Sequence, residues 1–287
     1  MTDMADIMVG INHSSSHHQG DNSILRSHIR SSPSSSSQSS LSSTISSTGD
    51  QKLSWPLTSF DNTVQNVCCI AFLLGCCFTF NLNKAISNYH SKWFPLHIYF
   101  LTLTTFHLLE FLVTAIWNPT RVTVDSFLLN NGLSYYLAQL VCTIEFVYSH
   151  TSDRNKTQVF KHRRIVSLIG LGCLIVGQFI RTMAMITAAQ SFNHQVSTHK
   201  KKQEDHELVT HGIYGIARHP SYLGFFWWSL GIQLYLGNWF SLVVFSSVLW
   251  RFFNHRIQIE EKHLIIFFGK SYIDYKSSTP TYIPFIK

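Results

Sequence analysis

The sequence predicts an all-α polytopic membrane protein of about six transmembrane helices, with a helical hairpin near its C-terminal end. Three observations carry this expectation. Only 13% of the 287 residues are charged and 45% are apolar, whereas soluble domains carry about 25% charged residues. Beyond Trp55 the apolar residues gather into stretches close to the roughly 20 residues that a helix needs to cross a bilayer. Polar and titratable residues then crowd one junction, residues 211–224, at the edge of an apolar stretch. Polar groups at membrane depth are costly, so their presence there argues for a bound polar ligand.

Residues 1–58 read as a Ser-rich tail. Residues 31–48 are almost entirely Ser and Thr, and such a segment cannot bury enough apolar surface to offset its ordering entropy. His13, His17, His18 and His28 fall in this tail and are read as solvated rather than as metal ligands. No long apolar core follows Met1, so no cleavable signal peptide is expected and insertion falls to the first span. Residues 59–287 form the membrane domain. Its spans are expected at 64–82, from Phe94 to the Asn118-Pro119 turn, at 135–148, at 165–189, at 222–236 and at 239–253. Only Gly237-Asn238 separates the last two, which forces an antiparallel hairpin. Past Phe253, Arg256, Glu260 and Glu261 alternate with Ile257, Ile259 and Leu264. This predicts a helix leaving the membrane, a stop at Gly269, and a short surface helix around Tyr272, Asp274 and Tyr275.

Six crossings put both ends on one side. Lys200, Lys201 and Lys202 assign the loop before residue 211 to the cytosol. Arg154, Lys156, Lys161, Arg163 and Arg164 in the preceding loop pull the other way. The formal net charge is +7, but the basic residues are scattered, which fits juxtamembrane positions and excludes a nucleic-acid-binding class. Cys68, Cys69, Cys76, Cys77, Cys142 and Cys173 all lie in apolar segments without metal-ligand spacing. They are expected to be small buried hydrophobes rather than disulfides or metal ligands.

The chemistry-bearing residues follow from this layout. Proline fits the first turn of a helix, so Pro220 is expected to start the fifth span. The N–H groups of that turn, beside Ser221 and Tyr222, would offer a polar cradle. Gly224, one turn in, would let a neighbour or a ligand approach. An interfacial helix start needs a proline and a tyrosine, but not Arg218, His219, Tyr214 and His211 together. Arg256 and Glu260 are four apart and share a helix face. The hairpin returns that face to the Pro220 turn, so a guanidinium and a carboxylate are expected opposite residues 219–222. His107, Glu110, Glu145, Gln178 and Arg181 lie within spans and are read as interhelical hydrogen-bonding groups.

The run His206-Glu207-Leu208-Val209-Thr210-His211-Gly212-Ile213-Tyr214, then Arg218-His219-Pro220-Ser221-Tyr222-Leu223-Gly224, then Glu260-Glu261-Lys262-His263-Leu264, resembles the isoprenylcysteine carboxyl methyltransferases, most of all the fungal six-span type. The resemblance extends upstream through Phe106-His107, Glu110, Asn118-Pro119, Ser126-Phe127 and Ser191-Phe192-Asn193-His194. Ala189 stands where that family often has glycine. The resemblance implies a multi-pass endoplasmic reticulum enzyme that moves a methyl group from S-adenosylmethionine to the C-terminal carboxylate of a prenylated cysteine. Its partners would be prenylated proteins, such as small GTPases and prenylated pheromone precursors, and the lipid bilayer. The resemblance also implies an S-adenosylmethionine pocket at the cytosolic side, within residues 190–287. Ser197, His206, Glu207, Leu208, Val209, Tyr214, His219, Pro220, Ser221, Tyr222 and Glu260 would contact the donor. Arg256 would face the substrate carboxylate, acting with Glu260, and no metal is implied. Two alternatives remain open at this point: a phospholipid N-methyltransferase, and a non-catalytic protein that binds prenylated tails.

Overall fold

The computed structural model describes residues 61–152, 160–192 and 207–286. The Ser-rich tail, the Lys200–Lys202 cluster, Ser197 and His206 lie outside them. All regular structure among the described residues is helical. Six long helices occur: α1 Val64–Ser87, α2 Phe94–Trp117, α3 Leu133–Ser152, α4 Phe160–Ala188, α5 Pro220–Leu236 and α6 Trp239–Phe268. A short α7, Lys270–Ser278, follows. A helix is found at every expected span, usually extended at one or both ends. Three of them are long and apolar enough to cross a membrane by length and composition alone: Val64–Ser87, Phe94–Trp117 and Arg164–Ser191. Two of the other three fall short for visible reasons. α5 has only 17 residues, and α6 carries Arg251, Arg256, Glu260, Glu261 and Lys262 along its length.

The apolar segment of α6 is its first half, 239–253. The same helix continues without a break to Phe268 and stops at Gly269, whose φ is +55°. The predicted exit helix, glycine stop and short following helix are therefore all present. The hairpin between α5 and α6 turns on Gly237, at φ +72°, a left-handed conformation that glycine adopts without steric penalty. Asn238 then donates its side-chain amide to the Cys142 carbonyl at 2.9 Å. Glu145 of α3 completes this end by accepting from the Phe240 and Ser241 amides at 2.9 and 2.8 Å, so it caps α6. Negative charge at a helix N-terminus is favourable.

α4 and α5 pack in the closest approach of the bundle. Gly170 and Gly177 on α4 face Gly231 and Gly224 on α5. A methyl group on Gly177 would meet Trp228 N at 2.5 Å, and one on Gly224 would meet Arg181 N at 2.6 Å. Small residues let membrane helices approach backbone to backbone. Gly224 thus admits a neighbouring helix and not a ligand. The approach also presses Arg181 against the start of α5, which matters for the site below.

The cysteine expectation is corrected. Cys142 is buried, but Cys68, Cys69 and Cys76 are exposed. They share the outer face of α1 with Phe72 and Leu73, which are also exposed. Among the described residues only α2 packs extensively on α1, so this face looks outward, as a lipid-facing surface would. A thiol is a small hydrophobe and suits lipid as well as it suits a core.

Candidate active site

The start of α5, the second half of α6 and the C-terminal segment meet in one polar cluster. Pro220 occupies the first helical position, with His219 as the N-cap. The cradle of open N–H groups expected here does not form. Pro220 has no N–H, and Tyr222 and Leu223 both donate to the His219 carbonyl at 3.1 Å. What the turn presents instead is side chains. The Tyr222 hydroxyl donates to Glu260 Oε2 at 2.6 Å and accepts from Arg256 Nε at 2.8 Å. The Arg256 guanidinium also lies over the rings of Tyr222 and Phe252, at 5.4 and 5.9 Å. The expected meeting of Arg256 and Glu260 with residues 219–222 is therefore observed, and a single hydroxyl bridges the opposite charges.

His219 and Tyr222 stack, with ring centroids 5.5 Å apart and planes 8° apart. Tyr222 also stacks on Phe253 at 5.2 Å. The aromatic column fixes the Tyr222 ring, and the ring fixes the hydroxyl. Tyr214 is half-buried in the turn Gly212–Gly215. Its carbonyl accepts from the Tyr275 hydroxyl at 2.6 Å. Burial, reinforced by the nearby Glu260 charge, pushes the Tyr214 hydroxyl well above its usual pKa, so it stays protonated. Leu208 and Val209 are half-buried beside it, while Glu207 and His211 are exposed.

The residue that sequence reasoning left out is Glu261. Its Oε1 accepts from Arg218 Nε at 2.5 Å and from His219 Nε2 at 3.1 Å. Its Oε2 accepts from Lys276 Nζ at 2.5 Å. Burial alone would raise this carboxyl, but the three donors outweigh it and hold its pKa at about 2. Arg218 also donates to the Thr279 carbonyl at 2.9 Å, and its own amide donates to the Pro280 carbonyl at 3.1 Å. Arg218 is thus a structural clamp on the C-terminal segment rather than a site group. Glu261 joins α5, α6 and α7 through one side chain. Its neighbour Glu260 carried the sequence signal, and nothing local separates the roles of two adjacent carboxylates. Their 100° separation around the helix does.

Arg181 is the second addition. Within α4 it was expected to make interhelical hydrogen bonds, and it does. It is buried, forms a bidentate ion pair with Glu110 of α2, and donates to Ser221 Oγ at 2.8 Å. The guanidinium lies 5.6 and 5.4 Å from the Phe106 and Phe225 ring centres. His107, three residues before Glu110 on α2, bonds the Phe127 carbonyl at 2.8 Å and the Tyr135 hydroxyl of α3 at 3.0 Å, whereas Gln178, expected to bond between helices, donates within α4 to Thr182 at 3.2 Å. These two are structural. Arg181 is structural as well, but the bond to Ser221 carries it to the edge of the site.

The fold and site together define a helical integral membrane protein whose polar centre sits where two hairpin helices emerge. Residues 169–266 match the model of the isoprenylcysteine carboxyl methyltransferase (ICMT) family. The protein-S-isoprenylcysteine O-methyltransferase of Saccharomyces cerevisiae is 48% identical over 198 residues, covering 66% of this chain and 80% of the yeast protein. That of Schizosaccharomyces pombe is 41% identical over 234 residues, covering 78% and 96%, and the human one is 39% identical over 220 residues, covering 77% and 73%. A solved structure of a eukaryotic intramembrane Ras methyltransferase, ICMT, superposes with a TM-score of 0.70 at 35% identity, covering 79% of each chain. The chain belongs to the isoprenylcysteine carboxyl methyltransferase family. The relatives support neither the phospholipid N-methyltransferase alternative nor the non-catalytic one.

Proposed function

We propose that this protein methylates the C-terminal α-carboxylate of S-prenylated cysteine, using S-adenosylmethionine as the donor. The observation that carries the proposal is the Arg256–Tyr222–Glu260 bridge. It sets a fixed cation and a fixed anion side by side at the mouth of a membrane helix pair. The donor set suits both reactants. A carboxylate and the rings of Tyr214 and Tyr222 suit a sulfonium, and a guanidinium suits a carboxylate.

When bound, S-adenosylmethionine supplies an electrophilic methyl group. The chain's own residues bind and align the acceptor. An α-carboxyl has a pKa of about 3.3–3.7, so the acceptor is ionised near neutral pH and needs no general base. Alignment is the main task, and well-oriented partners gain roughly 7–11 kcal/mol. Arg256 grips one carboxylate oxygen and leaves the other to attack. Its own position is set by the Tyr222 hydroxyl and by the ring faces beneath it. Glu260, Tyr214, Tyr222, Pro220, Ser221, His219, Glu207, Leu208 and Val209 form the proposed donor side. Ser197 and His206 belong to the same proposed set. Glu260 opposes a charge that is partly lost in the transition state, so its contribution falls on donor binding more than on rate. The prenyl chain enters from hydrocarbon between helices, and the donor enters from the water side.

In the same reading the protein resides in the endoplasmic reticulum membrane with the polar cluster facing the cytosol. Its partners are prenylated proteins such as small GTPases and prenylated pheromone precursors. The test is transfer of label from methyl-labelled S-adenosylmethionine, in membranes holding the full chain, to a farnesylated cysteine or to phosphatidylethanolamine. Base-labile label on the prenylcysteine is the expected result. Label on the lipid amine, or on neither acceptor, overturns the proposal.

A further inference from the structure

The second half of α6 has two working faces. Arg256 and Glu260 point to the α5 turn. By helical spacing of 100° per residue, Asn254, Gln258, Glu261, Lys262 and Ile265 make a different stripe. This stripe, with Ile257, Lys276 and Ile286, lines a cavity of about 240 Å³. The reactants assigned above do not use it. The buried Ile257 and Ile286 give it an apolar floor, and it is also lined by the exposed Ile265, two lysines, two amides and the Glu261 carboxylate that Lys276 holds. Lys262 is exposed and makes no hydrogen bond or ion pair among the described residues.

We propose that this cavity binds the phosphate-bearing headgroup of an anionic phospholipid. Three observations select a lipid over a soluble anion. The cavity begins at Asn254, where the apolar half of α6 ends, so its lower rim lies at headgroup depth. The segments that line it carry exposed apolar side chains next to the lining residues: Ile266 at 64%, Ile273 at 51% and Phe285 at 93%. A protein immersed only in water has no use for such a fringe, whereas a helix lying against a bilayer does. Finally, the apolar floor suits the glycerol and upper acyl carbons attached to the phosphate. Lys262, the lining lysine that Glu261 does not hold, supplies positive charge that attracts anionic lipid beside a membrane surface.

The cavity is wired to the reaction turn. Lys276 lines it and holds Glu261 Oε2, while Glu261 Oε1 holds His219 and Arg218. A phosphate drawing on Lys276 shifts charge away from Glu261, whose other oxygen then grips His219 harder. Because His219 stacks on Tyr222, lipid binding tightens the donor side. This consequence rests on the proposed function, whereas the binding itself does not.

The test uses the full chain in nanodiscs of phosphatidylcholine, doped with a photoactivatable phosphatidylserine or with the matching photoactivatable phosphatidylcholine. Selective cross-linking of the anionic probe to residues 254–265 or 276–286 is expected. Lys262→Gln should lower that cross-linking about fivefold, as expected for one lysine near an anionic surface, and leave the melting temperature unchanged. Equal labelling by both lipids, or labelling insensitive to Lys262→Gln, overturns the proposal. So does competition by millimolar inorganic phosphate or by an acidic peptide, which would assign the cavity to a soluble anion or a protein partner. The KM for S-adenosylmethionine, measured with and without phosphatidylserine, should fall with the lipid in the parent and not in Lys262→Gln. If cross-linking succeeds and the nanodiscs show no methyl transfer, the lipid site stands and the proposed reaction fails.

Discussion

Replacing Tyr222 by Phe isolates the bridge on which the proposed reaction depends. The substitution removes one oxygen and keeps the ring, so stacking on His219 and Phe253 survives. Two hydrogen bonds disappear, one to Glu260 at 2.6 Å and one from Arg256 at 2.8 Å. Each involves a charged partner, and such bonds contribute about 1.5–3 kcal/mol. Arg256 and Glu260 are four residues apart and can close on each other directly, which returns roughly one of the two. The net loss is about 1.5–3 kcal/mol, or roughly a 10- to 150-fold fall in kcat/KM for prenylcysteine methylation. Direct closure would also turn Arg256 away from the acceptor, so the KM for the prenylcysteine should rise along with the fall in kcat. The assay is release of base-labile label from a farnesylated cysteine, with melting temperature in detergent as the control for folding. A Tyr222→Phe protein with the parent's kcat/KM would refute the argument, because the bridge would then be a bystander.

Other perturbations test the scaffold. Gly177→Ala pushes a methyl onto Trp228 N and should destabilise the α4–α5 pair by about 1–3 kcal/mol, read as a lower melting temperature. Gly172→Ala, with nothing within 4 Å of the new methyl, should not. Glu110→Ala leaves Arg181 buried without its carboxylate and should be destabilising by about 3–5 kcal/mol. A Glu110→Met, Arg181→Met double variant should melt higher than Glu110→Ala, because neither charge is then stranded. Glu261 has its pKa lowered from 4.5 to about 2. Its stabilising contribution is therefore complete above about pH 4.5 and is lost as pH falls through about 2. The melting-temperature gap between the parent and Glu261→Gln should shrink as pH falls from about 4.5 toward 2.

Much of this architecture could be read in the chain because lipid imposes a simple rule. A helix that crosses hydrocarbon must be apolar over a fixed length, so α1, α2 and α4 announced themselves. The hairpin was legible because two residues between spans leave one geometry. Arg256, Glu260 and Tyr222 could be brought together on that geometry alone, by counting around a helix. What the sequence concealed was pairing between distant polar residues. Glu110 and Arg181 are 71 residues apart, and no periodicity links them. The four glycines that press α4 against α5 were visible as letters, but their register depends on where two helices stop. Gly224 could admit a ligand or a helix until its partner Gly177 was located.

The concealed pairs share a purpose that the legible ones do not. Arg181 is anchored by Glu110 on one side and reaches Ser221 on the other. Glu261 anchors His219 and takes Lys276 and Arg218 from outside. Each is a buried charge satisfied by several partners, the condition under which charge is tolerated away from water. Between them they hold Ser221 and His219, the two residues flanking Pro220. The turn is therefore clamped from two sides, by Arg181 and by Glu261, while Tyr222 meets Arg256 and Glu260. A turn left to its own backbone, with Tyr222 and Leu223 both closing on one carbonyl, would have no such fixed direction. In the proposed reaction, orientation is the main thing an ionised acceptor requires of this site, and these two ion clusters fix the residues that would supply it.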